Sequence, residues 1–405
     1  MSRKTGMALS IFLVAMALVL AGACGSDKAQ QKNDGKSGDS ASQKKTGQAG
    51  SAQGGEKPTY IGRKPMVIYG TSYVGPLTEI FGDVYIGQKD FIASNTVMRA
   101  APGNRVEIGD ESNVQDNVTV RAYHDSVSIG NKTSLTHHAV VQDSDVGDFV
   151  FVGYDAEIDD SEVGDKSFVY HGARIQGVKI PQKSFVGPGV VVDDQKSADS
   201  LPKTGEVDLE KYYDRKEQID TNREFAKAYI DLYEKEGYDA VVEVGPNPVT
   251  SWNPRRVEPD IGKNVELQAF SRVTGDVEIG DNSSVGRRTA LRADEGDPIS
   301  VGAGAAIDDR VTMHSTRDSA VEIGKFLVAS DDSVLHGPLK MGKRDFVGEN
   351  AVVFRAKVGD DVQIGEGAIV AGPAGEGSLL EIPEGTLVPA GAVVTSEKDV
   401  RDLQG

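Results

Sequence analysis

Residues 129–169 read IGNKTSLTHHAVVQDSDVGDFVFVGYDAEIDDSEVGDKSFV. An aliphatic side chain returns about every sixth place, at Ile129, Leu135 and Val141, then at Val146, Val152, Ile158, Val163 and Val169. Small residues (Thr133, Ala139, Ala156, Ala173) stand four places after an aliphatic one, and Gly followed by Asp or Asn recurs beside it. This spacing is too long for the alternation of a half-exposed strand and does not match the helical period. A solenoid of short parallel strands accommodates it. The aliphatic residue points into a narrow core, and Gly-Asp or Gly-Asn makes each corner. Generic crossover physics favours right-handed connections, so the period alone does not set the hand of the coil.

The pattern occurs twice, over Met66–Val192 and again over Arg256–Thr395. Between the copies, DLEKYYDRKEQIDTNREFAKAYIDLYEKEGY (Asp208–Tyr238) is charged and predicts a helix. Leu209, Tyr212, Tyr213, Phe225, Tyr229 and Leu232 are available for its apolar stripe, and Gly237 closes it. The fold class is therefore all-β, two parallel β-helices with an intervening α-helix. The corresponding units are 58–205, 206–240 and 241–405, the last ending in a short tail without a helix of its own.

Ahead of them, MSRKTGMALSIFLVAMALVLAGAC has a basic start (Arg3, Lys4), an apolar run from Met7 to Leu20 and a small-residue ending at Cys24. Residues 1–23 read as a signal peptide and Cys24 as the lipidated residue of a bacterial lipoprotein; an uncleaved anchor is the alternative, although the run is short for a span. Residues 24–57 are Ser/Gly/Gln/Lys-rich with little to bury, a flexible tether. The body is expected outside the cytoplasm, touching the membrane only through its lipid. A net charge of −18 with no concentrated basic face argues against a nucleic-acid partner. Cys24 is the only cysteine, which excludes internal disulfides and thiolate ligands in the body.

The histidines carry the chemistry. One copy holds His137 and the other His314 and His336. Pooled, they supply three imidazoles, the ligand set of a catalytic zinc-type site with a position open for water. Neither copy has that set alone. His124, His138 and His171 read as polar corner residues on the surface, and Asp159, Asp160, Asp308 and Asp309 as turn residues.

NPVTSWNP (Asn247–Pro254), LRADEGDP (Leu291–Pro298), VTMH (Val311–His314) and SVLHG (Ser333–Gly337) resemble the gamma-class carbonic anhydrases, especially the archaeal type. The first copy joins the resemblance through NVQDNV (Asn113–Val118), SIGNKTSLTH (Ser128–His137) and KEGY (Lys235–Tyr238). The resemblance implies left-handed coils, a tandem duplication of the family's unit, a homo-oligomer, and a metal held between neighbouring prisms. Two of its histidines would come from one prism and one from the next. Carried over, the pair is His314 and His336, where the first copy has Arg121 and Gln142. The single ligand is His137, where the second copy has Asp331. Two assemblies stay open: a composite of His137 with His314 and His336, or second halves meeting to build His314, His336 and Asp331.

The resemblance also assigns supporting roles. Glu295 matches the proton-transfer glutamate, where the first copy has Pro102. Arg292 and Asp294 match an ion pair between prisms, and Asn113 and Gln115 match polar residues around the metal-bound water. Tyr229 and Asp231 fall where the helix approaches the site. A second shuttle glutamate is absent, with Arg317 and Asp318 in its region. The implied ion is one divalent metal, Zn first, with Fe or Co as alternatives. The implied reaction is hydration of CO2 to bicarbonate by a metal-bound hydroxide. A non-catalytic β-helix scaffold or binding lipoprotein is the rival reading. A hexapeptide-repeat acyltransferase ranks lower, because an exported protein has poor access to acyl-CoA.

Overall fold

The computed structural model describes residues 58–61, 64–205, 215–373 and 379–404. The 1–23 and 24–57 segments with Cys24, and Leu209, Tyr212 and Tyr213 of the anticipated stripe, lie outside the described residues. Two left-handed parallel β-helices of the hexapeptide-repeat kind follow one another along the chain. In the first, strands from Glu79–Phe81 to Val191–Val192 stack into three faces. Two antiparallel pairings, Pro58–Ile61 on Glu79–Phe81 and Met66–Ile68 on Ser72–Val74, cover its N-terminal end, where an open strand edge would otherwise invite pairing. In the second, strands Val334–Met341 and Val352–Val358 are long enough to turn a corner, so two of its faces form one sheet.

Each prism has its own core, built from aliphatic residues that superpose coil upon coil. Val114, Leu135, Val152, Val169 and Val186 pair in register in the first; Val285, Ile307, Ala329, Val347, Ile364 and Val388 do so in the second. All are fully buried, and each valine, leucine or isoleucine among them contributes about 1.5–3 kcal/mol relative to exposure. The Gly-Asx corners have a specific bonding role. The backbone N–H of Gln88, Asp110, Asn131 and Asp148 donates in turn to the side-chain oxygen of Asp110, Asn131, Asp148 and Asp165 on the next coil, at 2.7–3.0 Å. The glycine before each Asx lets the coils close on one another: a Cβ on Gly130 would lie 2.5 Å from the Gly147 carbonyl carbon.

Asp90 departs from this exposed ladder. It is fully buried, accepts from the Ser112 N–H at 2.8 Å, and leaves its second oxygen unpaired. Burial pushes its carboxyl up to about 8, against about 3.9 in an unfolded chain. The folded state thus holds a proton that the unfolded state releases, and stability contributed at low pH is lost as pH rises from about 4 to 8. Asp90→Asn removes this dependence. The stability of the variant relative to wild type, from urea unfolding, is expected to rise between pH 5 and pH 8 by at most about 1.4 kcal/mol per pH unit. A difference that stays constant with pH would rule the assignment out.

Helix Arg215–Glu236 folds back on the first prism, burying Phe225, Tyr229 and Leu232 against Tyr73 and Phe91. It stops at Gly237, whose φ of 88° suits glycine. The C-terminal tail, read from sequence as lacking a helix, forms one at Glu397–Gln404. Ser396 and Asp399 cap it reciprocally: the Asp399 side chain accepts from the Thr395 and Ser396 N–H groups, and the Asp399 N–H donates to Ser396 Oγ.

The prisms lie side by side. Phe151, Tyr154, Phe168 and Tyr170 of the first pack on Val334, Val352, Phe354 and Ile369 of the second. One corner of the first prism supplies a column of left-handed residues to this junction, Asn95, Asn117 and His138 (φ 62–63°). Asn95 Nδ2 donates to the Arg288 carbonyl and Asn117 Nδ2 to the Arg310 carbonyl. His138 Nε2 lies 2.9 Å from Thr312 Oγ1. The surface reading of two histidines is therefore corrected: His138 and His171 are buried at the junction, and of the three only His124 is exposed. A corner position looks outward from its own prism, and here outward means into the neighbour.

Candidate metal centre

Coil stacking in the second prism places Arg292, His314 and His336 directly above one another, one coil apart on strands Ala290–Ala293, Thr312–His314 and Val334–Met341. Around the site the coils lengthen. Arg292 and His314 are 22 residues apart, whereas 17 separate Asn131 from Asp148 farther along the first prism. The additional residues include 294–298, which carry Asp294 and Glu295. The first prism delivers His137 from the corner after Ser134–Leu135.

These two sources converge. The ligating atoms of His137, His314 and His336 lie within 4.8 Å of one another, and all three residues are buried. Among the described residues this is the one cluster of three or more potential ligands. His137 Nε2 is 3.1 Å from His314 Nδ1. His336 Nδ1 donates to the Gly337 carbonyl at 2.8 Å, which leaves Nε2 as its free donor of a lone pair. Burial pushes His137 and His336 well below the usual imidazole range, and burial followed by Arg292 lowers His314. Each shift favours the neutral ring, the form a metal requires.

The surrounding polar groups form a network that crosses the junction. The ion pair of Arg292 with Asp294, expected between prisms, lies within the second (3.6 Å); across the junction the buried Arg292 meets Asp116 of the first prism at 3.2 Å instead, and its Nη2 is 3.0 Å from His314 Nε2. Asp116 stands 3.5 Å from His137 Nδ1. Asp294 accepts from the Tyr229 hydroxyl at 2.5 Å. Burial would raise Asp294, but Arg292, His314 and Tyr229 together hold it far below the usual carboxylate range. Glu295 lies 3.7 Å from His314 Nε2 with its side chain 11% exposed. Burial, then the Asp294 charge, pushes it up to about 8.

Asn113 and Gln115 sit on the coil preceding that of His137, Asn113 in register with Ser134. Both Asn113 amide atoms and Gln115 Oε1 are buried without a hydrogen bond. Asp331 is elsewhere: it is exposed and accepts from the Asp309 N–H at 2.9 Å, a rung of a corner ladder. Asp231 also points away, exposed and paired with Lys227. In the first prism, Gln142 Nε2 donates to Asp159 Oδ1, and Arg121 stacks between Arg99 and Gln142, so the counterpart ladder carries no imidazole.

The donor set fits a divalent ion. Zn–N bonds of about 2.0–2.1 Å in a tetrahedral set place neighbouring nitrogens about 3.3 Å apart, close to the 3.1 Å between His137 and His314. The Asn113 amide and Gln115 Oε1, buried without a hydrogen bond, are a polar surplus that the water of a bound ion would use.

Sequence reading passed over two residues here. Asp116 stands inside the NVQD motif and is the first-prism partner of Arg292, a pairing that only the packing of the prisms creates. Tyr154 lies against two of the three imidazoles, His137 at 5.5 Å and His336 at 4.9 Å between ring centroids. Its signal was its place 17 residues after His137, the span of one short coil on that side of the prism.

Fold and site define a hexapeptide-repeat β-helix protein with a buried histidine triad able to hold a metal ion between two prisms. No family profile matches the chain. It is 32% identical to the carbonic anhydrase of Methanosarcina thermophila over 184 residues, 41% of this chain and 72% of that protein. It is 30% identical to the carboxysome assembly protein CcmM of Nostoc sp. over 38% of this chain and 29% of that protein. To the mitochondrial gamma carbonic anhydrase 2 of Arabidopsis thaliana it is 32% identical, over 34% and 42%. The chain belongs to the gamma carbonic anhydrase family.

Proposed function

We propose that this protein is a metal-dependent carbonic anhydrase that interconverts CO2 and bicarbonate at a site shared by its two prisms. The observation that carries this reading is the convergence of three buried imidazoles from both prisms beside a nearly buried carboxyl group. His137 Nε2, His314 Nδ1 and His336 Nε2 would hold the ion, zinc by the chemistry of an all-imidazole set, with iron or cobalt also accommodated. When bound, the ion supplies Lewis acidity that brings the ionisation of water to near neutral pH. The chain's own residues do the rest. Asp116 and Asp294 stand 3.5 Å from the His137 Nδ1 and His314 Nε2 that face away from the ion, carboxylates placed to orient those rings. The unpartnered amides of Asn113 and Gln115 orient the reacting water and the CO2 oxygens. Glu295, poised at about 8, takes the released proton on Oε1 and passes it to solvent along its exposed edge.

The test is metal content and CO2 hydration on one preparation. The expected result is about one equivalent of Zn, Co or Fe per chain for a single three-imidazole site, with stopped-flow hydration that disappears on chelation and returns on adding the metal back. Metal-replete protein without hydration activity would leave a binding scaffold, and protein that takes up no metal would overturn the reading entirely.

A further inference from the structure

We propose that Tyr154 is a positioning residue that locks the imidazole planes of ligands from the two prisms into one arrangement. This inference rests on the metal-site reading above. His137 and His336 come from different prisms, and their rings are tilted by 42° at 5.8 Å. The Tyr154 ring is a slab common to both, within 26° of the plane of His137 and within 23° of that of His336. It is backed in turn. His171, one coil farther on, stacks on its other side at 4.2 Å and 3°. The Tyr154 backbone N–H donates to His171 Nδ1 at 2.9 Å, which fixes that ring as well. Phe354 closes the pile edge-on to both Tyr154 (5.8 Å) and His336 (5.3 Å).

The physical need is specific to a site divided between prisms. A hydrogen bond to the far nitrogen sets where a ring points but leaves it free to rock about that bond. His336 Nδ1 donates to the Gly337 carbonyl, and His137 Nδ1 has Asp116 at 3.5 Å. Face contact with a buried ring removes the remaining freedom, and a single ring touching both ligands couples their planes. The tyrosine hydroxyl is not needed for this, so the ring and the hydroxyl make separable predictions.

The experiment is a Co2+ titration of the metal-free full chain, reading the affinity and the visible absorption bands of bound cobalt. Tyr154→Phe is expected to bind Co2+ with wild-type affinity and unchanged bands. Tyr154→Leu is expected to bind about 10–100-fold more weakly, the range for removing a partner that orients a ligand, with shifted bands. Phe168→Leu is the control: Phe168 belongs to the same buried cluster but stacks on Phe151 and Tyr170 instead of the triad. It is expected to lower the unfolding temperature of the metal-free protein while leaving cobalt affinity and bands in place. Equal cobalt affinity and bands in Tyr154→Leu and wild type would overturn the proposal, as would equal weakening in both leucine variants. Wild-type protein that binds no cobalt would instead sink the metal-site reading beneath it.

Discussion

His137→Ala is expected to abolish metal binding and CO2 hydration, while Asp331→Ala leaves both in place. In the proposed site His137 would be the one ligand from the first prism, and its Nε2 already sits 3.1 Å from His314 Nδ1. Without it, two imidazoles from adjacent coils of a single prism remain, and a two-ligand site loses more than the 10–100-fold in affinity that an orienting partner costs. Asp331 has a different occupation, accepting the Asp309 N–H on an exposed corner. Its loss removes one rung of a ladder at the surface. Metal content by mass spectrometry and stopped-flow hydration read both variants. The composite site fails if the His137 variant keeps a full equivalent of metal. Loss of metal from the Asp331 variant alone would favour the other assembly, in which second halves of neighbouring chains combine His314, His336 and Asp331.

Arg292→Met is expected to cost about 3–5 kcal/mol in urea unfolding of the metal-free protein, the range for removing one partner of a buried charge pair. The guanidinium is buried between Asp116 and Asp294, carboxylates from the two prisms. Without it both remain out of water with no counter-charge. Removing the charges together, as Arg292→Met with Asp116→Asn and Asp294→Asn, is expected to recover much of the loss, because what costs free energy is the stranded charge. A single-variant loss below about 1 kcal/mol, the ordinary worth of an exposed pair, would show that water reaches the network. Since Arg292 also touches His314, prism docking and the arrangement of the triad share one residue.

How much of this was legible beforehand differs from residue to residue. The coil period, the inward aliphatic columns and the Gly-Asx corners follow from spacing, because each coil repeats the environment of the one before it. The stacking of His314 on His336 follows for the same reason. Asp116 and Tyr154 were not singled out because their partners belong to the other prism. His138 and His171 read as surface residues for the same reason: an outward position on an isolated prism is polar by expectation, and burial by a neighbour leaves no periodic trace. Asp331 looked like a competing ligand because aligned position suggests aligned role. Its side chain instead bonds the preceding coil's backbone, as its ladder neighbours do.

The two prisms, their cores and the helix between them follow from the residues themselves, since each depends on neighbours about one coil apart or less; the three histidines stood out only through the resemblance to a family. It is the packing of one prism on the other that brings the three imidazoles together. The contact between His137 and His314 spans 177 residues, and no repeat period carries information across it. It exists because an apolar face of one prism packs on the other, with asparagine side chains and Arg292 setting the register of the two stacks.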